Sequence, residues 1–187
     1  MLQPSKQFVF AYGSLLRDLD DRHTGSLRPA RLRDHRRAWN VAMDNTLTVP
    51  GYKCYLDPRD GSRPAVFVTF LNLVAATGEE VNGALVPVRA DELAELDRRE
   101  RNYERREITD SLIEPVAGQV WTYFGKGEAE QRFADSLAAE RAVVHAGYLE
   151  IVRAGFAQLG AGQLAAFAAS TDPPRCPVLA LQRVELH

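Results

Sequence analysis

Only two cysteines, Cys54 and Cys176, occur in 187 residues. They are too few and too far apart for a disulfide framework or a metal-ligand spacing. The four histidines, His23, His35, His145 and His187, fall into no HExxH or comparable pattern. No apolar run is long enough to span a membrane and no stretch has the form of a signal peptide, so a soluble, cytoplasmic protein is expected. The net charge is only -2, which gives no bulk electrostatic footprint for nucleic acid. Arginines do cluster between Arg28 and Arg37, but without interleaved aromatics apart from Trp39, and they read as a solvated face or strand edge. No repeat or low-complexity segment is present. The expectation is a chain with no metal, no cofactor, no membrane and no nucleic-acid partner.

What is present is an ordinary globular balance, 45% hydrophobic and 26% charged, over a length that predicts one domain, 1–187. Phe8-Val9-Phe10-Ala11 is a short apolar run rich in β-formers and predicts a buried strand. Tyr12-Gly13-Ser14 breaks it. Gly13 admits dihedrals closed to other residues and lets a ligand approach bare amides, so the turn is a candidate cradle for an anion. An ordinary strand exit with a core Tyr12 is the competing reading.

Ala90 to Tyr103, ADELAELDRRERNY, predicts a helix with Asp91 and Glu92 in its first turn, where acids suit the positive helix end. At ~100° per residue, Leu93, Leu96, Asp97 and Glu100 share one arc. Glu100 therefore continues the apolar stripe. A carboxylate there costs several kcal/mol to bury unless it is paired or its pKa rises. Pairing with Arg101 or Arg105 beyond the end of the stripe is the alternative.

Other strands are expected within Leu27–Met43, Tyr52–Leu56, Ala65–Val74, Val81–Val88, Glu107–Pro115 and Val120–Phe124. Tyr52–Leu56 and Ala65–Val74 flank the turn-forming Asp57-Pro58-Arg59-Asp60-Gly61 and suggest a hairpin or neighbouring strands. Ala75-Ala76-Thr77-Gly78 reads as a turn. From about Gln131 the composition becomes helical: Val144, Tyr148, Ile151, Val152, Gly155 and Phe156 keep helical spacing, and Leu164–Ala169 suggests a further short helix. Pro177–Leu186 is a tail whose apolar residues must pack on something. Strands first, one inserted helix, then helices: the class is α+β, not a βαβ parallel sheet.

The loop Tyr12-Gly13-Ser14-Leu15 and the segment Leu96-Asp97-Arg98-Arg99-Glu100, in this order and spacing, resemble the γ-glutamylcyclotransferase-like (AIG2-like) superfamily over about Phe8–Tyr123. The resemblance implies a small mixed β-barrel flanked by helices, with a mainly helical C-terminal part from about residue 131. It also implies intramolecular aminolysis: the α-amine of a γ-glutamyl amide attacks its own γ-carbonyl, giving 5-oxoproline and a released amine or amino acid. The nucleophile belongs to the substrate, so no metal or nucleophilic side chain is needed. Glu100 is the candidate general acid and base, a role desolvation can prepare. The candidate substrate-binding residues are Tyr12, Gly13, Ser14, Leu15, Tyr103 and Tyr123, the loop amides holding a carboxylate or an oxyanion. Tyr103 matches loosely, because Arg101-Asn102 precede it where some relatives are glycine-rich. Asp97 matches the motif and also suits a structural role. The alternative function is a non-catalytic domain of the same fold that binds a small carboxylate. A third is an interaction protein docking a partner helix through an exposed face bearing Phe156 and Phe167.

Overall fold

Strand pairing is organised by β4 (Phe67–Val88) in the structure, a computed structural model that describes residues 6–20 and 26–186. Most of the polar lead-in, His23 and His187 lie outside those residues. β4 takes β7 (Ala142–His145) in parallel along Phe67–Thr69 and β1 (Gln7–Ala11) in antiparallel along Ala84–Val88. β2 (Arg28–Asp44) pairs with β4 antiparallel over most of its length. β6 (Gln119–Gly125) lies parallel to β1, β5 (Tyr103–Glu107) antiparallel to β6, and β8 (Val178–Leu179) parallel to β7. The result is one seven-stranded sheet with β1 in its interior. β3 (Lys53–Leu56) and β9 (Gln182–Glu185) form a separate antiparallel pair. The helices are α1 (Leu15–Asp20), α2 (Ala90–Arg99), α3 (Gly127–Ala138), α4 (Ala146–Gln158) and α5 (Gln163–Ala169). α3 packs on β2, and α4 packs on both α1 and α5. No helix among the described residues is long and apolar enough to cross a membrane.

The expected α+β order holds, and several details differ. Ala75–Gly78 does not separate two strands. The chain continues as β4 while the ladder breaks, with His35 opposite Ala75 and Arg33 opposite Glu80, so extra β4 residues bulge where Asp34 adopts a φ of 60°. β3 does not form a hairpin with the Ala65–Val74 strand. Its partner is the C-terminal tail, and the Asn45 side chain stands in as a second partner by donating to the Tyr55 carbonyl and accepting from the Tyr55 amide, both at 2.8 Å. The strand predicted at Glu107–Pro115 lies earlier, at β5, followed by a short 3-10 turn at Thr109–Ser111. Its charged pattern, YERRE, hid it: Arg105 and Arg106 cover the Trp121 and Phe124 rings with their guanidinium groups. The helical C-terminal part is interrupted by β7, where Val144 sits in a strand. Close approach of β1 and β4 requires Gly83, since a Cβ there would lie 2.6 Å from the Ala11 carbonyl.

One member of the arginine cluster is not solvated. Arg37, on β2, is wholly buried, whereas its neighbours Arg31 and Arg36 stay near the surface in ion pairs. The Arg37 guanidinium donates to the Tyr12 carbonyl at 2.9 Å, to Ser170 Oγ at 2.9 Å, to Thr171 Oγ1 at 3.3 Å and to Asn82 Oδ1 at 3.0 Å, and also to the Asn82 carbonyl. Its carbon lies 4.7 Å from the Phe156 ring centre and 5.0 Å from that of Phe167, two rings stacked at 4.7 Å. Phe156 and Phe167 are thus core residues, which removes the exposed aromatic face that a helix-docking function requires. Burial pulls the guanidinium down to about 9, so it remains charged at neutral pH. Arg37→Met keeps much of the volume but strips donors from the Tyr12, Asn82 and Ser170 acceptors, at about 1–3 kcal/mol for each left unsatisfied. Urea unfolding is expected to show a loss of about 3–5 kcal/mol relative to wild type.

Candidate active site

β1 delivers the chain into the sheet interior, and Tyr12-Gly13-Ser14 then turns it into α1. The Leu16 amide donates to the Gly13 carbonyl at 3.1 Å and the Arg17 amide to the Ser14 carbonyl at 3.0 Å. The amides of Ser14 and Leu15 precede the first intrahelical bond, so they have no backbone acceptor. Gly13 does not adopt a positive φ. Its requirement is space: a Cβ there would stand 3.2 Å from Tyr148 Oη. The glycine is needed for a close approach, not for its dihedral freedom.

α2 begins with Glu92 accepting from the Arg89 amide at 2.8 Å, and buries Leu93 and Leu96 as the periodicity predicts. It ends at Arg99. Glu100 is the residue after the helix, with φ -82° and ψ 53°, its amide still donating to the Leu96 carbonyl at 2.8 Å. Its side chain is 17% exposed and its nearest cation is Arg99, at 3.6 Å. Neither Arg101 nor Arg105 pairs with it; Arg105 lies 3.4 Å from Asp97 instead. Among the described residues no side chain or amide donates a hydrogen bond to the Glu100 carboxylate. Burial raises its pKa above the ordinary carboxylate value, Arg99 and Lys53 oppose that rise, and Asp18 adds to it.

Two cavities meet at Glu100. The smaller is lined by Tyr12, Gly13, Ser14, Leu15, Leu71, Glu100, Tyr103, Tyr123 and Tyr148. All seven residues singled out from the sequence, Glu100 and the six binding candidates, therefore converge on one hollow. Three of their hydroxyls are already committed. Tyr12 donates to the Tyr123 carbonyl at 2.6 Å, Tyr103 to the Leu71 carbonyl at 2.7 Å, and Tyr123 to Asp97 Oδ1 at 2.9 Å. These rings shape the hollow without offering a free donor, and Asp97 serves as an anchor for Tyr123. The larger cavity, about 330 Å³, shares Ser14, Glu100, Tyr103 and Tyr148 with the smaller and is also lined by Lys53, Arg98, Arg99, Arg101 and Arg183 against Asp18 and Glu185. Cations outnumber carboxylates there, so the cavity suits an anionic ligand, and its volume lies at the lower end for small-molecule pockets.

Sequence reasoning missed Tyr148 and Lys53. Tyr148, on α4, lies edge-on to Trp39 and Phe70, with ring centres 6.0 and 5.1 Å away. Helical spacing marked it as packing, and nothing in its local sequence shows that its hydroxyl reaches Gly13. Burial raises its pKa, as Glu100 does, while hydrogen bonding to Leu71 and Ser14 opposes the shift; it stays a neutral donor. Lys53 lies between Tyr52 and Cys54 at the start of β3, and only the tertiary fold brings its ammonium to 4.5 Å from the centre of the Phe70 ring. Among the described residues no cluster of three or more His, Cys, Asp or Glu side chains is placed to hold a metal ion.

A sheet with flanking helices, enclosing a half-buried glutamate beside a glycine loop, is the setting for the comparisons with known proteins. The family model described as "Gamma-glutamyl cyclotransferase, AIG2-like" matches residues 9–141, and the chain belongs to that family. A solved structure described as a gamma-glutamyl cyclotransferase aligns with a TM-score of 0.56 at 15% identity, over 90% of this chain and 89% of the other. A Homo sapiens protein described as uncharacterized aligns at 0.55 and 15%, over 91% and 89%. The yeast gamma-glutamyl cyclotransferase specific to glutathione aligns at 0.52 and 14%, over 89% and 97%. These likenesses show the fold. The search of curated proteins finds no match. Tyr148 and Arg183 lie beyond the residues that the family model matches.

A raised folded-state pKa at Glu100 carries a definite sign. The folded protein holds that proton more tightly than the unfolded chain does, so the stability linked to Glu100 is fully present below about pH 4.5 and is lost as pH rises through the folded-state value. Glu100→Gln is expected to melt higher than wild type at neutral pH, with the gap closing as pH falls toward 4.5. Paired thermal melts across that range test it, and a gap independent of pH would show that Glu100 is not strained by burial.

Proposed function

We propose that the protein is a γ-glutamylcyclotransferase that converts a γ-glutamyl amide to 5-oxoproline and a free amine or amino acid, with Glu100 as general base and then general acid. The observation that carries this reading is the Glu100 carboxylate itself. It is half-buried, receives no hydrogen bond among the described residues, and sits where the two cavities join beside the Gly13–Leu15 loop. Leaving a carboxylate so poorly satisfied is unfavourable for folding alone, and such groups concentrate at catalytic sites.

In the proposed reaction Glu100 removes a proton from the substrate α-ammonium. The freed amine attacks the γ-carbonyl carbon, and the carbonyl oxygen takes the negative charge. The Leu15 amide and the neutral Tyr148 hydroxyl, itself hydrogen-bonded with Ser14, are the donors assigned to that oxygen. Protonated Glu100 gives its proton to the leaving nitrogen, and the C–N bond breaks as the carbonyl re-forms. The second proton of the ring nitrogen passes through Glu100 to the released amine, leaving neutral-ring 5-oxoproline, an ammonium product and the Glu100 carboxylate. A carboxyl whose pKa burial has raised is better matched to both transfers than an exposed one. The family to which the chain belongs is where this reading starts. The substrate is a small molecule, and no cofactor has a step in the scheme.

Glu100→Gln is expected to lower 5-oxoproline release by about 10²–10⁴-fold while 5-oxoproline binding changes little. Tyr148→Phe is expected to lower kcat by up to about 10²–10³-fold, the usual cost of losing an oxyanion donor. Gly13→Ala, whose Cβ meets Tyr148 Oη at 3.2 Å, is expected to weaken binding instead. Wild-type turnover by Glu100→Gln would exclude Glu100 as the base. A wild-type protein that binds 5-oxoproline yet cyclises nothing in a broad γ-glutamyl panel would make it the non-catalytic carboxylate-binding domain.

A further inference from the structure

Two charged groups that border the larger cavity have no step in the reaction, Asp18 and Arg99. Arg99 is the last residue of α2 and stands immediately before Glu100, yet it does not close on it. Its Nη2 donates to Asp18 Oδ2, while its Nε stays 3.6 Å from Glu100 Oε1, beyond hydrogen-bond reach. One guanidinium thus lies between two carboxylates, one on the helix that follows the glycine loop and one at the end of α2. Asp18 is placed by the loop itself. Its amide donates to the Ser14 carbonyl at 3.2 Å, and Leu15, Leu16 and Leu19 anchor α1 in the core.

A guanidinium paired tightly with a carboxylate lowers its pKa by about 1–3 and makes it a poor base. The remaining carboxylate of the cavity, Glu185, is held by Arg183 at 2.6 Å, so a guanidinium released from Asp18 has Glu100 as its nearest carboxylate. After burial, the groups that act on Glu100 are Arg99 and Lys53, which oppose its protonation, and Asp18, which favours it. Arg98, Arg101 and His145 border the same cavity. The phenols that face Glu100, those of Tyr12, Tyr52, Tyr103, Tyr123 and Tyr148, are held neutral by burial. We propose that Asp18 is a positioning residue for the base: by capturing Arg99 it keeps that guanidinium from closing on Glu100, and so leaves the Glu100 carboxylate free to take and return the substrate proton. Asp18 touches no substrate and transfers no proton. This assignment rests on the reaction proposed above.

The test is a double-mutant cycle on Asp18 and Arg99, read through the ionisation of Glu100. The acid limb of kcat/KM with γ-glutamyl-alanine reports that ionisation during turnover. Carbon-13 NMR titration of the Glu100 carboxyl, assigned by the resonance missing in Glu100→Gln, reports it without turnover. Asp18→Asn keeps the shape of a partly exposed side chain. It is expected to move both readouts down by about one pH unit and to lower the plateau of kcat/KM by up to about tenfold, with KM little changed. Arg99→Met is expected to move both upward. In the Arg99→Met background, Asp18→Asn is expected to have less than about half its effect, because no guanidinium remains to close on Glu100. The same downward move in both backgrounds overturns the proposal, since Asp18 then acts by its own charge alone. A Glu100 titration that Asp18→Asn leaves in place also overturns it. So does a loss of turnover at every pH that Arg99→Met does not relieve, the signature of a merely structural role. If wild type cyclises nothing, the reaction fails, and the NMR cycle by itself decides whether Asp18 holds Arg99 off Glu100.

Discussion

A buried guanidinium with no carboxylate partner among the described residues is the constraint on which the site depends. Arg37 spends its donors on the Tyr12 carbonyl, Asn82, Ser170 and Thr171. The charge is solvated by dipoles and by the faces of Phe156 and Phe167. This ties three distant pieces of chain to one planar group: the glycine loop after β1, the middle of β4, and the end of α5. Asn82 carries the link onward by donating to the Gln163 carbonyl at 2.9 Å and its side-chain oxygen at 2.8 Å. The loop beside Glu100 is therefore held from the side facing away from the cavity. A rigid fork with several donors fits that task, whereas a lysine has a single ammonium on a flexible stem.

The cavity side is arranged on the opposite plan. Tyrosines 12, 103 and 123 direct their hydroxyls to protein acceptors and present ring surface to the hollow. Against this satisfied wall stand two groups with unspent capacity, Glu100 and Lys53. Such a wall lowers the local dielectric, which strengthens the electrostatic effect of both groups on their surroundings. Tight hydrogen bonding of the surroundings and poor satisfaction of the acting groups are two halves of one design.

Much of the site was legible from sequence because its parts are local patterns. FVFAYGSLL shows a strand stopping at a glycine, and LAELDRRE shows a carboxylate continuing an apolar stripe. The sequence pattern carries the helix on to Tyr103, whereas α2 ends at Arg99 and Glu100 follows it with φ -82° and ψ 53°. What escaped depends on contacts between residues far apart in the chain. Arg37 lies in an alternating basic run in which every arginine looks alike, and only its contacts with Ser170 and Thr171, just past α5, distinguish it. Tyr148 obeys helical packing spacing and reveals its hydroxyl only against Gly13. β3 looked like half of a local hairpin because turn chemistry between Asp57 and Gly61 is strong, yet its ladder is completed by residues more than a hundred positions later.

That late pairing bears on when the site comes into being during synthesis. Lys53 and Tyr52 sit on or beside β3, whose only ladder partner among the described strands is β9, Gln182–Glu185. The glycine loop, β4 and α2 leave the ribosome long before that segment does. While the rest of the sheet assembles, the wall opposite Glu100 has no strand to pair with, and the hollow stands open to water. A nascent chain can thus hold Glu100 and the loop in place and still lack an enclosed pocket. Enclosure waits until β9, more than a hundred residues after β3, is available to pair with it.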